Sequence, residues 1–280
     1  MPTLRVMTFN VRGATHTQDG INIWKNRAEL NVGTAKRYAP DLIGFQECQP
    51  GNLEAYLEQL RAYDCIAGIP TSNLLPEKHE YNAIFWRRDR FELLDSGGFW
   101  LSNTPAVWSG DWDTACVRGA NWVKLRLKET GLEFLHLNTH LDHISGLARQ
   151  EGSKLILRKL AELNAEKLPL IITGDFNENA WNTIDDVDTA THHFFLENGF
   201  IDTYLAAGNT DSVVINTFHR FEGETYSAVQ NDMSLRIDWI LVRDDTLSLQ
   251  TKSCLIVRDQ EPPLYPSDHY PVLAEFVLIG

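Results

Sequence analysis

Several apolar runs in this chain stop on side chains that bind hard cations or move protons. TLRVMTFN ends at Asn10, DLIGFQE at Glu47, EFLHLNTH at His140 and LIITGD at Asp175, with Asn177 two places further on. RIDWILV places Asp238 inside a strand, and Asp268 and His269 stand just before YPVLAEFVL. Glu47, Asp175, Asp268 and the amides of Asn10 and Asn177 are hard oxygen donors, suited to Mg²⁺ or Mn²⁺ and poorly suited to zinc or copper. His140 and His269 would then move protons or donate to an anion, each needing a carboxylate to fix its tautomer. Taken singly each residue has a structural explanation: Asn10 or Asn177 can turn the chain, Glu47 can open a helix, and Asp268 can cap a turn. Taken together they predict a site, because ligand sites collect where a rigid strand meets a variable loop. Asp175 and Asn177, two apart, face the same way if extended geometry continues.

Positioning such a set requires strands that end side by side. Short β-branched, apolar runs recur throughout: LRVMTFNV, DLIGFQE, NAIFWRR, FELL, GFWLS, NWVKLRL, EFLHLNTHL, LPLIITGDFN, RIDWILV, SCLIV and YPVLAEFVL, so the chain is strand-rich. Helical spacing occupies 23–38, 52–62 and 146–164, the last with Leu155, Ile156, Leu160 and Leu163 on one face. In NWVKLRLKETGLEFLHL, Val123, Leu125 and Leu127 alternate with Lys124, Arg126 and Lys128 before a Gly-containing turn, which predicts a hairpin with one wet face. Other runs are too continuously apolar for a wet face and require cover on both sides, as in a layered α/β sandwich. No repeat or long linker divides the 280 residues, so one domain over 1–280 is expected.

Bulk properties narrow the partners. At 43% hydrophobic and 22% charged the chain can bury a sizeable core. Its formal charge of −13 disfavours a sequence-blind grip on duplex nucleic acid. Cys48, Cys65, Cys116 and Cys254 are scattered without zinc spacing, and free thiols in a reduced compartment are expected. The N-terminal MPTLRVMTFNV has no leader pattern and no run reaches membrane-spanning length, which reads as cytoplasmic.

The stretches TFNVRG, DLIGFQE, EYNAIFWRRDRFELL, GGFWLS, CVRGANWVKL, LNTHLDH, ITGDFN, RIDWILV and SDHYPV occur in order from Thr8 to Val272. This set resembles the endonuclease/exonuclease/phosphatase superfamily, with wording closest to a bacterial branch of predicted metal-dependent hydrolases. The resemblance implies a four-layered α/β sandwich, two mixed β-sheets packed face to face with helices outside, and a phosphoesterase using Mg²⁺ or Mn²⁺, one or two ions. By position, Glu47 is similar to the principal metal carboxylate, with Asn10 and Asp268 assisting. Asp175 looks like the residue that orients or deprotonates the attacking water, and Asn177 like a donor to phosphate or nucleophile. His269 is similar to the phosphate-contacting, proton-transferring histidine, with Asp238 as its orienter. His140 resembles the second histidine and Glu80 stands where its carboxylate partner is expected. Arg118 matches a position that reaches the substrate phosphate. These His and Arg positions point away from abasic-site repair. Physically the set is coherent: phosphoester hydrolysis needs a cation and donors on the phosphoryl oxygens and an aimed water.

Other residues are open between pocket and scaffold. Asp142 and His143 could line the pocket or form a loop network, and His219 could reach the site. Trp108 and Trp112 could stack a base or sugar. Arg5, Arg12, Lys25 and Arg27 could hold a distal phosphate or balance acid, while His192 and His193 are expected on a helix surface without chemistry. The expected substrate is a small or lipid-derived phosphomonoester or phosphodiester. A nuclease acting on single-stranded RNA or DNA is the alternative, and a non-catalytic phosphate-binding module a remote one. No protein partner is evident.

Overall fold

The computed structural model describes residues 2–72, 75–181, 189–226, 235–246 and 248–279. In chain order the strands are β1 (Thr3–Asn10), β2 (Leu42–Gln46), β3 (Tyr63–Ile66), β4 (Pro70–Thr71), β5 (Glu80–Tyr81), β6 (Ile84–Arg87) and β7 (Phe91–Trp100). They continue as β8 (Gly119–Leu127), β9 (Glu133–His140), β10 (Leu170–Asp175), β11 (Ile201–Asp202), β12 (Asp238–Arg243), β13 (Leu249–Ile256) and β14 (Val272–Leu278). The helices are α1 (Trp24–Tyr38), α2 (Pro50–Gln59), α3 (Gly146–Leu163), α4 (Ala190–Glu197) and α5 (Thr203–Ala206). One sheet has the order β13-β14-β1-β2-β6-β3 and the other β11-β12-β10-β9-β8-β7, while β4 and β5 pair alone.

Continuously apolar strands are buried on both faces because each sheet is covered twice. Leu4, Val6, Leu42 and Ile84 of the first sheet meet Val123, Leu125, Phe134, Ile171 and Ile240 of the second. The alternate residues Met7, Phe9, Ile43 and Phe85 turn outward onto Val32, Ala35 and Tyr56 of α1 and α2. Leu137, Ile172 and Leu241 do the same against Leu155, Ile156 and Leu160 of α3 and Phe195 of α4. The result is the expected four-layered sandwich of two mixed sheets with helices outside.

The inner face changes character along its length. Beyond the apolar tier come Thr8, Gln46, His136, Asn138 and Thr173, all buried. Gln46 Nε2 donates to Thr8 Oγ1 (3.0 Å) and Asn138 Oδ1 (2.7 Å), and Thr173 Oγ1 donates to the same Asn138 oxygen (3.0 Å). Asn138 Nδ2 crosses between the sheets to the carbonyls of Phe45 (2.8 Å) and Ala83 (3.1 Å). Gly44 is obligatory here, since a Cβ would lie 2.1 Å from Thr173 Oγ1 and 2.6 Å from Asn138 Oδ1. One step further on, the same rows reach Asn10, His140 and Asp175.

Three local readings change. FELL and the first three residues of GFWLS are one strand, β7, with a register shift between Leu93 and Asp95. The second helix starts at Pro50, because Gln49 and Asn52 form a reciprocal capping box with Pro in the first turn. The hairpin forms with the anticipated alternation at its far end, but Gly119 to Val123, near the site, are buried on both faces.

Candidate active site

Because β1, β2, β9 and β10 end at the edge where β12 and β14 begin, both sheets deliver polar side chains to one place. Asp175 pairs with His140 on one side and Asp238 on the other. Asn10 joins the sheets: its Nδ2 donates to Asp175 Oδ2 (2.8 Å) and Glu47 Oε1 (3.1 Å). Glu47 sits just past β2 in a left-handed conformation (φ 55°), which turns its carboxylate to the Gly13 amide (3.3 Å). His269 Nδ1 lies 2.9 Å from Asp238 Oδ2, and its Nε2 lies 3.8 Å from Asp175 Oδ2. His140 Nε2 is 3.3 Å from the same Asp175 oxygen and 2.9 Å from Asn177 Nδ2. Extended geometry does not continue past β10. Asn177 has φ 51°, its amide N–H turns back to Asp175 Oδ1 (2.9 Å), and its Nδ2 also donates to Leu141 O (3.0 Å).

These groups face a cleft of about 360 Å³, lined by Glu47, Glu80, Arg118, His140, Asp175, Asn177, Asp268 and His269, with Arg12, His16, Ser72, Cys116, His143 and Phe218. Asn10 and Asp238 stand behind that surface. Burial opposes ionisation of Glu47, but His140, Arg12 and His16 outweigh it and hold the carboxyl down at about 2. Burial and then Asp238 drive the Asp175 carboxyl up to about 7. Burial disfavours the His269 imidazolium, yet Asp238 and Asp175 raise it to about 10, so one imidazolium serves two carboxylates. His140 is driven the other way, well below the ordinary imidazole range, by burial and by Arg118.

A model of the Endonuclease/Exonuclease/phosphatase family matches residues 7–269. The chain belongs to this family. Members of the endonuclease/exonuclease/phosphatase family act on phosphoester bonds with divalent metals, and the chain is accordingly a metal-dependent phosphoesterase. It is similar to the crystal structure of a family member from Bacteroides vulgatus, with 33% identity, a TM-score of 0.83 and 100% of both chains covered. It is also similar to the mannosyl-6-phosphatase of Bacteroides thetaiotaomicron, with 31% identity, a TM-score of 0.82, and 98% of this chain and 100% of that one covered. Human nocturnin is 23% identical over 98% of this chain, which spans only 65% of nocturnin's own length.

The residues present fit the family's metal. Burial and Glu47 raise the Glu80 carboxyl to about 7, and burial with Glu47 also raises that of Asp268. Carboxyls raised by a neighbouring carboxylate across a cleft are relieved by a hard divalent cation. His16, Glu47 and Glu80 each bring one ligand atom within 4.8 Å of the others, as do Asp175, Asp238 and His269. Asn10 turns its nitrogen to Glu47 while its oxygen accepts from Arg12 N (3.0 Å), so the oxygen faces an ion only once the amide turns over.

Glu80 departs from its expected placement, and the open placements of Asp142, His143, His219, Trp108 and Trp112 divide between cleft and scaffold. Glu80 lies in the cleft, but among the described residues its side-chain hydrogen bond is to Ser72 Oγ and not to His140. Asp142 is buried off the cleft surface, accepting from Ile144 N (2.9 Å), Ser145 N (2.7 Å), Thr114 Oγ1 (2.8 Å) and Ala115 N (2.9 Å), which makes it a loop hub. His143 does line the cleft, with Nδ1 3.2 Å from an Arg118 terminal nitrogen. His219 is fully buried, stacked on Tyr270 at 3.9 Å, and its neighbour Phe218 takes the wall position. Trp108 packs near Trp100 and His79, and Trp112 against the outer core, so neither lines the cleft.

His192 is buried, 2.8 Å from Asp202, because α4 turns that side chain inward; His193 remains exposed. Of the N-terminal cations only Arg12 lines the cleft, paired with Asp19 (2.9 Å) and 3.6 Å from Asp268. Arg5 bonds Tyr38 O, Lys25 is exposed, and Arg27 is fully buried. His16, Ser72, Cys116 and Phe218 were not anticipated. For His16 the signal was present: it stands in a polar loop directly after a strand that ends on a site residue.

Proposed function

We propose that the chain hydrolyses a phosphoester of a small or lipid-derived molecule by in-line attack of water, using Mg²⁺ or Mn²⁺. One observation carries this reading: oxygens of Glu47 and Asp268 and nitrogens of Arg118, Asn177, His140 and His269 meet around Asp175 in a single cleft of about 360 Å³. The ion, when bound, supplies positive charge to a phosphoryl oxygen. Arg118 donates to the remaining phosphoryl oxygens, joined by Asn177 when its amide leaves His140 Nε2 for the phosphate. Asp175, held by Asn10 and the Asn177 amide, accepts from the attacking water and aims it. His269, oriented by Asp238, carries the proton delivered to the leaving oxygen.

Three observations support a small substrate. The cleft has the size of a small-molecule site. The −13 charge disfavours a polyanion. A neighbour 31% identical over nearly the whole chain is named a mannosyl-6-phosphatase. The nuclease alternative drew on Trp108 and Trp112 as a stacking wall, and these lie off the cleft. All four cysteines are unpaired, which supports a reducing compartment, and no described helix is long and apolar enough to cross a membrane.

The test is a substrate screen of hexose phosphates, other phosphomonoesters, phosphodiesters and single-stranded RNA and DNA, with and without Mg²⁺ and Mn²⁺. Metal-dependent turnover of small phosphoesters is expected. Turnover confined to the polynucleotides sinks the small-substrate reading.

A further inference from the structure

Arg27, on α1, is a fully buried cation that makes no ion pair among the described residues. Its hydrogen bonds go to backbone carbonyls. Nε donates to Asn22 O (2.8 Å), one terminal nitrogen to both Val11 O and Pro266 O (2.8 Å each), and the other to Arg12 O. The guanidinium carbon lies 5.0 Å from the Trp24 ring and 5.7 Å from the Phe221 ring. Four of the five N–H groups of an arginine are thus spent on three separate stretches of main chain.

One of those stretches carries Asp268, and another adjoins Asn10 and donates to Glu47. Residues 11–19 leave β1 directly after Asn10, and the Gly13 amide donates to Glu47. Residues 264–271 lead into β14 and carry Asp268. Ser267 Oγ ties the second stretch to the end of β1 at Asn10 O (2.7 Å) and also approaches Asp268 Oδ1 (3.2 Å), and Asn31, one turn along α1, donates to Pro266 O (2.9 Å). Arg27 and Asn31 do not line the cleft.

We infer that Arg27 is a positioning residue for the metal centre, fixing residues 11–19 and 264–271 at the separation at which Asn10, Glu47 and Asp268 take one divalent ion. This rests on the reading that those three residues hold the ion. A planar fork is required, since lysine has a compact ammonium with three donors on a single atom and cannot span carbonyls on both loops. Substitution leaves buried carbonyls without donors, and the loops then separate or take in water.

The test is Mn²⁺ affinity of the full chain, followed by the electron paramagnetic resonance of free Mn²⁺. The proteins compared are wild type, Arg27→Met, Arg27→Lys, Asn31→Leu, Ser267→Ala, Glu47→Gln and Leu160→Ala, a core variant on α3 used as a stability control. Both Arg27 variants are expected to weaken Mn²⁺ binding by roughly 10- to 100-fold, the range for residues that orient metal ligands. Ser267→Ala shifts it the same way by less, and Leu160→Ala lowers the melting temperature without moving the affinity. Arg27→Met binding within about twofold of wild type, or Leu160→Ala weakening it equally, overturns the inference. If the Arg27 variants do not fold, Asn31→Leu, which removes the other α1 donor to Pro266 O and touches none of the three residues, decides, and an unchanged affinity overturns the inference. Wild type without Mn²⁺ binding, or Glu47→Gln binding like wild type, identifies failure of the metal reading itself, and the inference falls with it.

Discussion

His136 provides a way to test whether the tier beneath the site is as dry as its geometry requires. The imidazole is fully buried between the sheets, with Nε2 2.8 Å from Thr173 Oγ1 and Nδ1 without a partner among the described residues. Burial alone lowers it from 6.5 to about 3. The unfolded chain therefore takes up this proton before the folded one does. The stabilisation is complete above pH 6.5 and is lost as pH falls from 6.5 towards 3. Each pH unit in that window is worth about 1.4 kcal/mol, so about 2 kcal/mol is gone by pH 5.

Other groups titrate in the same range, so the measurement is a difference. Urea unfolding of wild type and His136→Gln is compared at pH 6.5 and pH 5, since the glutamine amide can replace Nε2 against Thr173 without an ionisable proton. Wild type should lose about 2 kcal/mol more than the variant over that interval. Equal losses in both proteins would refute the reasoning, because His136 would then have to be protonated, or equally protonated in both states, inside the sandwich.

Asp175→Asn should lower kcat by roughly 10²- to 10⁴-fold while the far-ultraviolet circular dichroism spectrum stays as in wild type; undiminished turnover would mean that the water is aimed from elsewhere. Asp238→Asn leaves His269 in place without its charged partner and should reduce kcat by about 10- to 100-fold, with the larger part of the effect in kcat and not KM. Arg236→Met removes a buried cation that bonds Asp202 and Asp211 at 2.7 Å and should cost about 3–5 kcal/mol of unfolding free energy, read by urea denaturation. In the same molecule Asp202, opposed by burial but held far below the ordinary carboxylate range by Arg236 and His192, makes this cluster stable above about pH 4 and progressively weaker in more acid solution.

The pattern of what could be read in advance follows from strand geometry. Along a strand the side-chain period is two, so once Val6 and Ile171 are assigned inward, Asn10 and Asp175 must follow on the same rows. His140 obeys the same parity from Phe134, and its cross-strand partner Asp175 is fixed by register. No comparable rule governs loops. His16 and Phe218 reach the cleft, and His219 and Trp108 do not, because of turns whose left-handed residues, Arg12, Arg220 and Phe221 among them, carry no sequence period.

The same parity rule exposes what an apolar reading of LIITGD concealed. Thr173 lies between Ile171 and Asp175 on the inner row, and its hydroxyl joins His136 and Asn138. A core that ran apolar up to Asp175 would leave that carboxylate against hydrocarbon, where burial favours the neutral form. Thr8, Gln46, Asn138 and Thr173 instead supply hydrogen-bonded contacts between the sheets below the site. The transition from Ile171 through Thr173 to Asp175 is therefore a graded one, and Gly44, which has no room for a Cβ against Thr173 and Asn138, is the residue that lets the two sheets close over it.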